Sequence, residues 1–130
     1  MKKVSKSNLD KKCLKLFGEI IRLKGWCEWC GSPYGQLNGH HVVGKKNYWL
    51  RFDLRNGCCL CAGCHTLKGK SAHEDSQEFM IWFKEKRPDD YDYLLEVKRT
   101  HQEARHLTIF DYQEIYQKLK EKLKELGGEY

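Results

Sequence analysis

The sequence has no long apolar run, no internal repeat and no low-complexity segment. A transmembrane helix needs about 20 consecutive apolar residues, and the stretch CLKLFGEIIRLKG is interrupted by charges every few residues. It therefore predicts an amphipathic helix, and neither a membrane span nor a signal peptide. We expect an intracellular protein of the cytoplasm. A length of 130 residues predicts a single domain, 1–130, with a modest core.

Positive charge exceeds negative charge, with 24 Lys and Arg against 18 Asp and Glu, and the excess is concentrated. Residues 40–70 contain six basic residues and one acidic residue, Asp53; the basic ones are Lys45, Lys46, Arg51, Arg55, Lys68 and Lys70. Such a patch favours a polyanionic partner, with nucleic acid first. A solvated surface would have the same composition, so charge alone leaves both open.

Apolar residues at helical spacing predict an N-terminal helix over 7–24, with Ser7 and Asp10 resembling a capping box. A second helix is predicted from Glu74 to Lys86, and a third begins near Pro88 with Asp89 or Asp90 as its cap. The last helix follows a second candidate capping box, Asp111 with Glu114, and stops at GGEY. We therefore expect residues 74–130 to form a helical C-terminal region.

The residue composition changes between residues 26 and 64. The stretch WCEWCGSPYGQLNG is rich in turn formers, and HHVVG and YWLRF are short β-prone runs. We expect two antiparallel strands joined by a loop around 44–47, followed by a short helix near 61–68. The fold class is therefore α+β.

Two C-x-x-C pairs stand out among the seven cysteines: Cys27 with Cys30, and Cys61 with Cys64. Two such pairs can complete a tetrahedral Zn²⁺ site, and four sulfur ligands leave no position for water. We expect a structural zinc, with ordinary free cysteines or a redox pair as the alternatives. The remaining cysteines, Cys13, Cys58 and Cys59, fit no ligand spacing. Cys58 and Cys59 are adjacent, so at most one of them should face the core.

The stretch NGHHVVGKKN places two histidines, His40 and His41, next to each other. Adjacent residues of a strand point to opposite faces, so the two should differ in role. Asn56 follows, and His65 comes directly after the second cysteine pair. His40, His41 and Asn56 lie between the two C-x-x-C pairs, and His65 adjoins the second pair.

This arrangement, from Cys27 to about residue 70, resembles an HNH endonuclease of the ββα-metal (His-Me finger) type embedded between zinc knuckles. The resemblance implies that His40 and His65 bind a catalytic divalent metal and that His41 is the general base, supported by Asn56. A distorted strand would bring both histidines to one site. The metal would be Mg²⁺ or Mn²⁺, and nitrogen ligands also admit Ni²⁺ or Zn²⁺. His73 is either a third ligand or a solvent-facing residue.

The layout of residues 25–95 also resembles, more loosely, phage-encoded recombination endonucleases of the lambda NinG (Rap) type. That resemblance implies a branched or recombination-associated DNA substrate and, for a phage protein, the host cytoplasm. Residues 25–70 would be the HNH and zinc core, with the basic residues of 45–70 holding DNA phosphates.

We therefore expect a metal-dependent HNH endonuclease acting on DNA. A non-catalytic, zinc-finger-like DNA-binding module is the first alternative, and a protein-interaction module that uses the C-terminal helix is the second. The binding module needs zinc and basic residues, but it does not need two histidines, an asparagine and a third histidine at this spacing.

Overall fold

The computed structural model describes residues 5–67, 72 and 76–127. Its elements are the helices α1 (Lys6–Arg22), α2 (Ser76–Lys86), α3 (Pro88–Thr100) and α4 (Ile109–Glu125), and the strands β1 (Leu37–His41) and β2 (Gly57–Cys61). A 3₁₀ turn, Leu54–Asn56, precedes β2, and a short π-helix, Gly63–Leu67, follows it. The fold is α+β, as predicted. Among the described residues, no helix is long and apolar enough to cross a membrane.

The sheet consists of β1 and β2 in antiparallel register, with His40 opposite Cys58 and His41 opposite Gly57. The predicted second strand, YWLRF, is wrong, because residues 48–52 form turns and the pairing strand is GCCLC. The long connection from β1 to β2 is tied internally by side-chain hydrogen bonds, which are described below.

Both faces of β2 are covered, and every residue of the strand is buried. On one face, Cys58 and Leu60 belong to a core that includes Phe79 and Phe83 of α2. On the other face α1 approaches closely: a Cβ at Gly57 would lie 2.2 Å from Cδ1 of Ile21. Cys58 and Cys59 are therefore both fully buried, and the expectation that at most one would face the core is wrong.

A second core joins α1 to α4. It includes Leu16 and Ile20 of α1 and Leu119 and Leu123 of α4, with Phe52 from the connection. The amphipathic pattern predicted for both helices is confirmed, because these buried residues recur at helical spacing. The two cores place α1 between the sheet and α4.

The helix caps differ from three of the predictions. Ser5, not Ser7, caps α1 by accepting a hydrogen bond from the backbone N–H of Asn8 at 3.2 Å. Arg87 precedes α3 without a side-chain cap, and Pro88 takes the first helical position.

In α4 the capping box joins Thr108 to Asp111, not Asp111 to Glu114. A propensity pattern locates a helix end only to within a few residues, because several adjacent polar residues can serve as the cap.

Candidate metal and histidine sites

The four cysteines of the two C-x-x-C pairs converge, and their sulfur atoms all lie within 4.8 Å of one another. Sγ of Cys30 lies 3.7 Å from Sγ of Cys61. Four sulfurs at 2.3 Å around one zinc ion would be about 3.8 Å apart, so the cluster can hold a structural zinc. We identify no other group of three or more metal-binding side chains among the described residues.

The backbone around each cysteine pair supports thiolate ligands. The N–H of Cys30 points to Sγ of Cys27 at 3.5 Å, and the N–H of Cys64 points to Sγ of Cys61 at 3.4 Å. Burial raises the pKa of the Cys61 thiol, but the Cys64 N–H and the neighbouring thiols outweigh burial and lower that pKa to about 7, whereas burial and hydrogen bonds with the neighbouring thiols raise the pKa of the Cys64 thiol. N–H donors near sulfur favour the charged form that binds metal.

The first histidine of the pair, His40, faces the α2 side of the sheet and is only 8% exposed. Its ring meets the ring of His65 edge to face, with centroids 5.1 Å apart. It also meets Phe79, with centroids 4.9 Å apart. His65 lies in the π-helix after the second cysteine pair. A residue of β1 and a residue 25 positions later thus come together beside the cysteine cluster.

The second histidine, His41, faces α1 and stacks on Phe17, with ring centroids 4.4 Å apart and an interplanar angle of 16°. Its Nε2 lies 2.9 Å from the backbone oxygen of Arg51. A carbonyl oxygen only accepts hydrogen bonds, so Nε2 carries the proton and the other ring nitrogen, Nδ1, is left without one in the neutral ring.

The pKa of His41 is lowered, chiefly because burial disfavours the charged ring. The hydrogen bond to the Arg51 carbonyl opposes this shift, while the positive charges of Arg51 and Lys45 add to it. The ring is therefore held in its neutral form near neutral pH.

The two histidines do point to opposite faces, and the strand pairing is regular through both. The expected distortion of the strand is absent from β1. Both histidines nevertheless line one cleft of about 620 Å³, together with His65 and with Asn38 and Gly39 of the same strand. Residues from both faces of β1 therefore contribute to a common space.

Asn56 is fully buried and does not hydrogen-bond to His41. Its side chain accepts from the N–H of Val43 at 2.6 Å and donates to the carbonyls of Val43 and Leu50 at 2.9 and 3.1 Å. These bonds close the 43–50 loop, and the next residue, Arg51, presents its carbonyl to His41. Asn56 is thus linked to the His41 ring through the backbone of Leu50 and Arg51.

The predicted phosphate-binding residues divide into three groups. Lys45 and Lys46 are exposed and line the histidine cleft. Arg51 is 9% exposed and bound to Asp10, and Arg55 pairs with Asp90. Both guanidinium groups are therefore paired with carboxylates of this chain, Arg51 in a buried position and Arg55 at the surface. Lys68, Lys70 and His73 lie outside the described residues.

Two further charged residues support the cleft, Arg22 directly and Asp10 through Arg51. Arg22, near the end of α1, lines the cleft beside the lysines. Asp10 binds the guanidinium of Arg51 through both carboxylate oxygens, at 2.6 and 3.0 Å, and also accepts from the hydroxyl of Tyr112 at 3.0 Å. No sequence signal marks these contacts, because the partners are 41 and 102 residues apart.

A comparison with protein-family models, curated proteins and solved structures found no match to this chain.

Proposed function

We propose that this chain is a metal-dependent endonuclease of the HNH type that hydrolyses phosphodiester bonds in DNA. One observation carries the proposal. The rings of His40 and His65 meet in the same cleft as His41, whose tautomer is set by the Arg51 carbonyl. Two side chains that could bind a metal, His40 and His65, and an oriented base, His41, therefore line the same cleft.

The spacing of the histidine pair is compatible with a shared metal ion. Two imidazoles bound to one ion at about 2.1 Å have ring centroids about 5 Å apart, close to the 5.1 Å between His40 and His65. A divalent ion held there would act as a Lewis acid for the phosphate and its leaving oxygen. Mg²⁺ and Mn²⁺ are the first candidates, with Ni²⁺ and Zn²⁺ as nitrogen-favouring alternatives.

His41 supplies the base in this proposal. Its Nε2–H is fixed on the Arg51 carbonyl, so Nδ1 is the atom that takes the proton from the attacking water. The stack on Phe17 holds the ring plane. Asn56 keeps the carbonyl in place by closing the loop that ends at Leu50.

The charged wall of the cleft suits a nucleic acid. Lys45, Lys46 and Arg22 line the cleft, and basic side chains there would hold the phosphates next to the one that is cut. Because DNA phosphates carry no sequence information, these contacts predict no base preference. A branched or recombination-associated substrate, as in NinG-type phage enzymes, is the finer form of the proposal.

A nicking assay on supercoiled plasmid with Mg²⁺, Mn²⁺ or Ni²⁺ tests the proposal. The wild-type chain should nick the plasmid, and His41→Asn should lose at least about 100-fold, the usual weight of general base catalysis. Thermal melting shows whether the variant is folded. If the wild type and a folded His41→Asn showed the same trace activity in every metal, the nuclease would be refuted, which would leave a non-catalytic DNA-binding module.

A further inference from the structure

A second concave surface adjoins the histidine cleft. It has a volume of about 510 Å³ and lies between residues 46–49 and the connector 101–106 that joins α3 to α4. Lys46 lines both this surface and the histidine cleft. We call this second concave surface the outer subsite and define it by Lys46, Trp49, His101 and Arg105.

Trp49 builds the outer subsite by fixing the connector in place. Its indole N–H donates to the backbone oxygen of Glu103 at 2.9 Å. Its ring stacks on His101, with centroids 4.2 Å apart and an interplanar angle of 14°. The guanidinium carbon of Arg105 lies 5.0 Å from the centroid of the same ring. One aromatic side chain therefore orders a polar connector whose sequence predicts little structure.

The outer subsite is positively charged. Neither Lys46 nor Arg105 forms an ion pair with any described residue. Glu103 is the one carboxylate among the described residues that line the surface; it is 65% exposed and lies 3.8 Å from Nδ1 of His101. A cation held against an aromatic ring, a second cation lining the same surface and one solvated acid suit an anionic ligand.

We propose that the outer subsite binds the phosphate backbone of the DNA strand as it leaves the histidine cleft. The inference rests on the proposed function for its choice of DNA over other polyanions. The shared Lys46 makes the two concave surfaces one continuous path, and Arg105 provides the next cation along it. The connector 101–106 is then part of the DNA interface.

The salt dependence of DNA binding tests this inference on the full chain. Binding to a fluorescein-labelled duplex is followed by anisotropy over a range of NaCl concentrations, without divalent metal. Each phosphate contact adds about 0.9 to the slope of log K against log [salt]. Arg105→Gln should lower the slope by about one and weaken binding about fivefold near 0.15 M salt. Arg105→Lys, which keeps the charge, should keep most of the slope.

Lys124→Gln is the matched control. It removes one positive charge from an exposed residue of α4 that has no ion pair with any described residue. Its slope should equal that of the wild type. Equal slopes for Arg105→Gln and Lys124→Gln would overturn the outer subsite, as would a wild-type chain that does not bind DNA.

The two proposals fail separately. Nicking that depends on His41, together with an unchanged slope for Arg105→Gln, keeps the nuclease and removes the outer subsite. A reduced slope in a chain that never nicks DNA keeps the outer subsite and refutes the nuclease.

Discussion

Replacing Asp10 with alanine should destabilise the chain and disturb the base of the proposed site together. Asp10 holds the guanidinium of Arg51, whose backbone carbonyl holds His41. The same guanidinium donates to the backbone oxygen of Lys45 at 2.8 Å, in the wall of the cleft. One ion pair between α1 and the connection thus supports both the ring and the basic loop.

The magnitude follows from the burial of the pair. The side chains of Arg51 and Asp10 are 10% and 18% exposed, and their closest atoms are 2.6 Å apart. Removing one partner of a buried pair costs about 3–5 kcal/mol, because the other charge loses its compensation. Arg51 keeps the Lys45 carbonyl and lies 4.9 Å from the ring centroid of Tyr48. We therefore expect Asp10→Ala to lower the free energy of unfolding by about 3 kcal/mol, the lower end of that range.

Urea unfolding in the presence of zinc measures this loss. Tyr112→Phe, which removes one hydrogen bond to Asp10, should cost about 1–2 kcal/mol. Asp92→Ala, at an exposed position of α3, should change stability by less than about 0.5 kcal/mol. In the nicking assay, folded Asp10→Ala should lose about tenfold in activity. If Asp10→Ala were no less stable than Asp92→Ala, the ion pair would not support the fold. Unchanged nicking by the folded variant would separate the ion pair from the placement of His41.

Three further predictions concern packing, metal and pH. Gly39→Ala should lower the free energy of unfolding by about 1–3 kcal/mol, because a Cβ at Gly39 would lie 3.1 Å from the backbone Cα of Gly18. Gly44→Ala is the control, because a Cβ at Gly44 would meet nothing within 4 Å. Equal melting temperatures for the two variants would contradict the close approach of α1 to β1. Elemental analysis should find one zinc ion per chain, and Cys30→Ser should lose both the zinc and the cooperative unfolding transition; a folded, zinc-free wild type would rule out the site. Two arginine partners outweigh burial and hold the pKa of Asp90 below its usual value, so the stability they add is present above pH about 4 and disappears as the pH falls through the lower folded-state pKa. Urea titrations from pH 5 to pH 2 should therefore show a steeper loss for the wild type than for Asp90→Asn, and parallel curves would contradict this.

Most of the features that the sequence predicts correctly are local ones, in which the residues that interact lie within a few positions of one another. The apolar periodicity of α1 and α4 reflects a one-sided burial that recurs every turn, so it can be detected without a structure. The two C-x-x-C pairs each form their own tight turn, with N–H groups directed at sulfur within four residues. Adjacent side chains on β1 point apart for the same local reason, and the structure keeps that alternation at His40 and His41.

The tertiary structure alone decided which segment pairs with β1, what holds His41 and which charges are free. The strand GCCLC is buried on both faces, so it has no polar alternation to mark it, while YWLRF has strand-like composition and forms turns. The sequence pattern predicts that Arg51 is a surface cation, but its guanidinium forms an ion pair with Asp10, 41 residues earlier in the sequence. Such contacts depend on chain segments that meet only after folding, and no pattern within either segment records the partner.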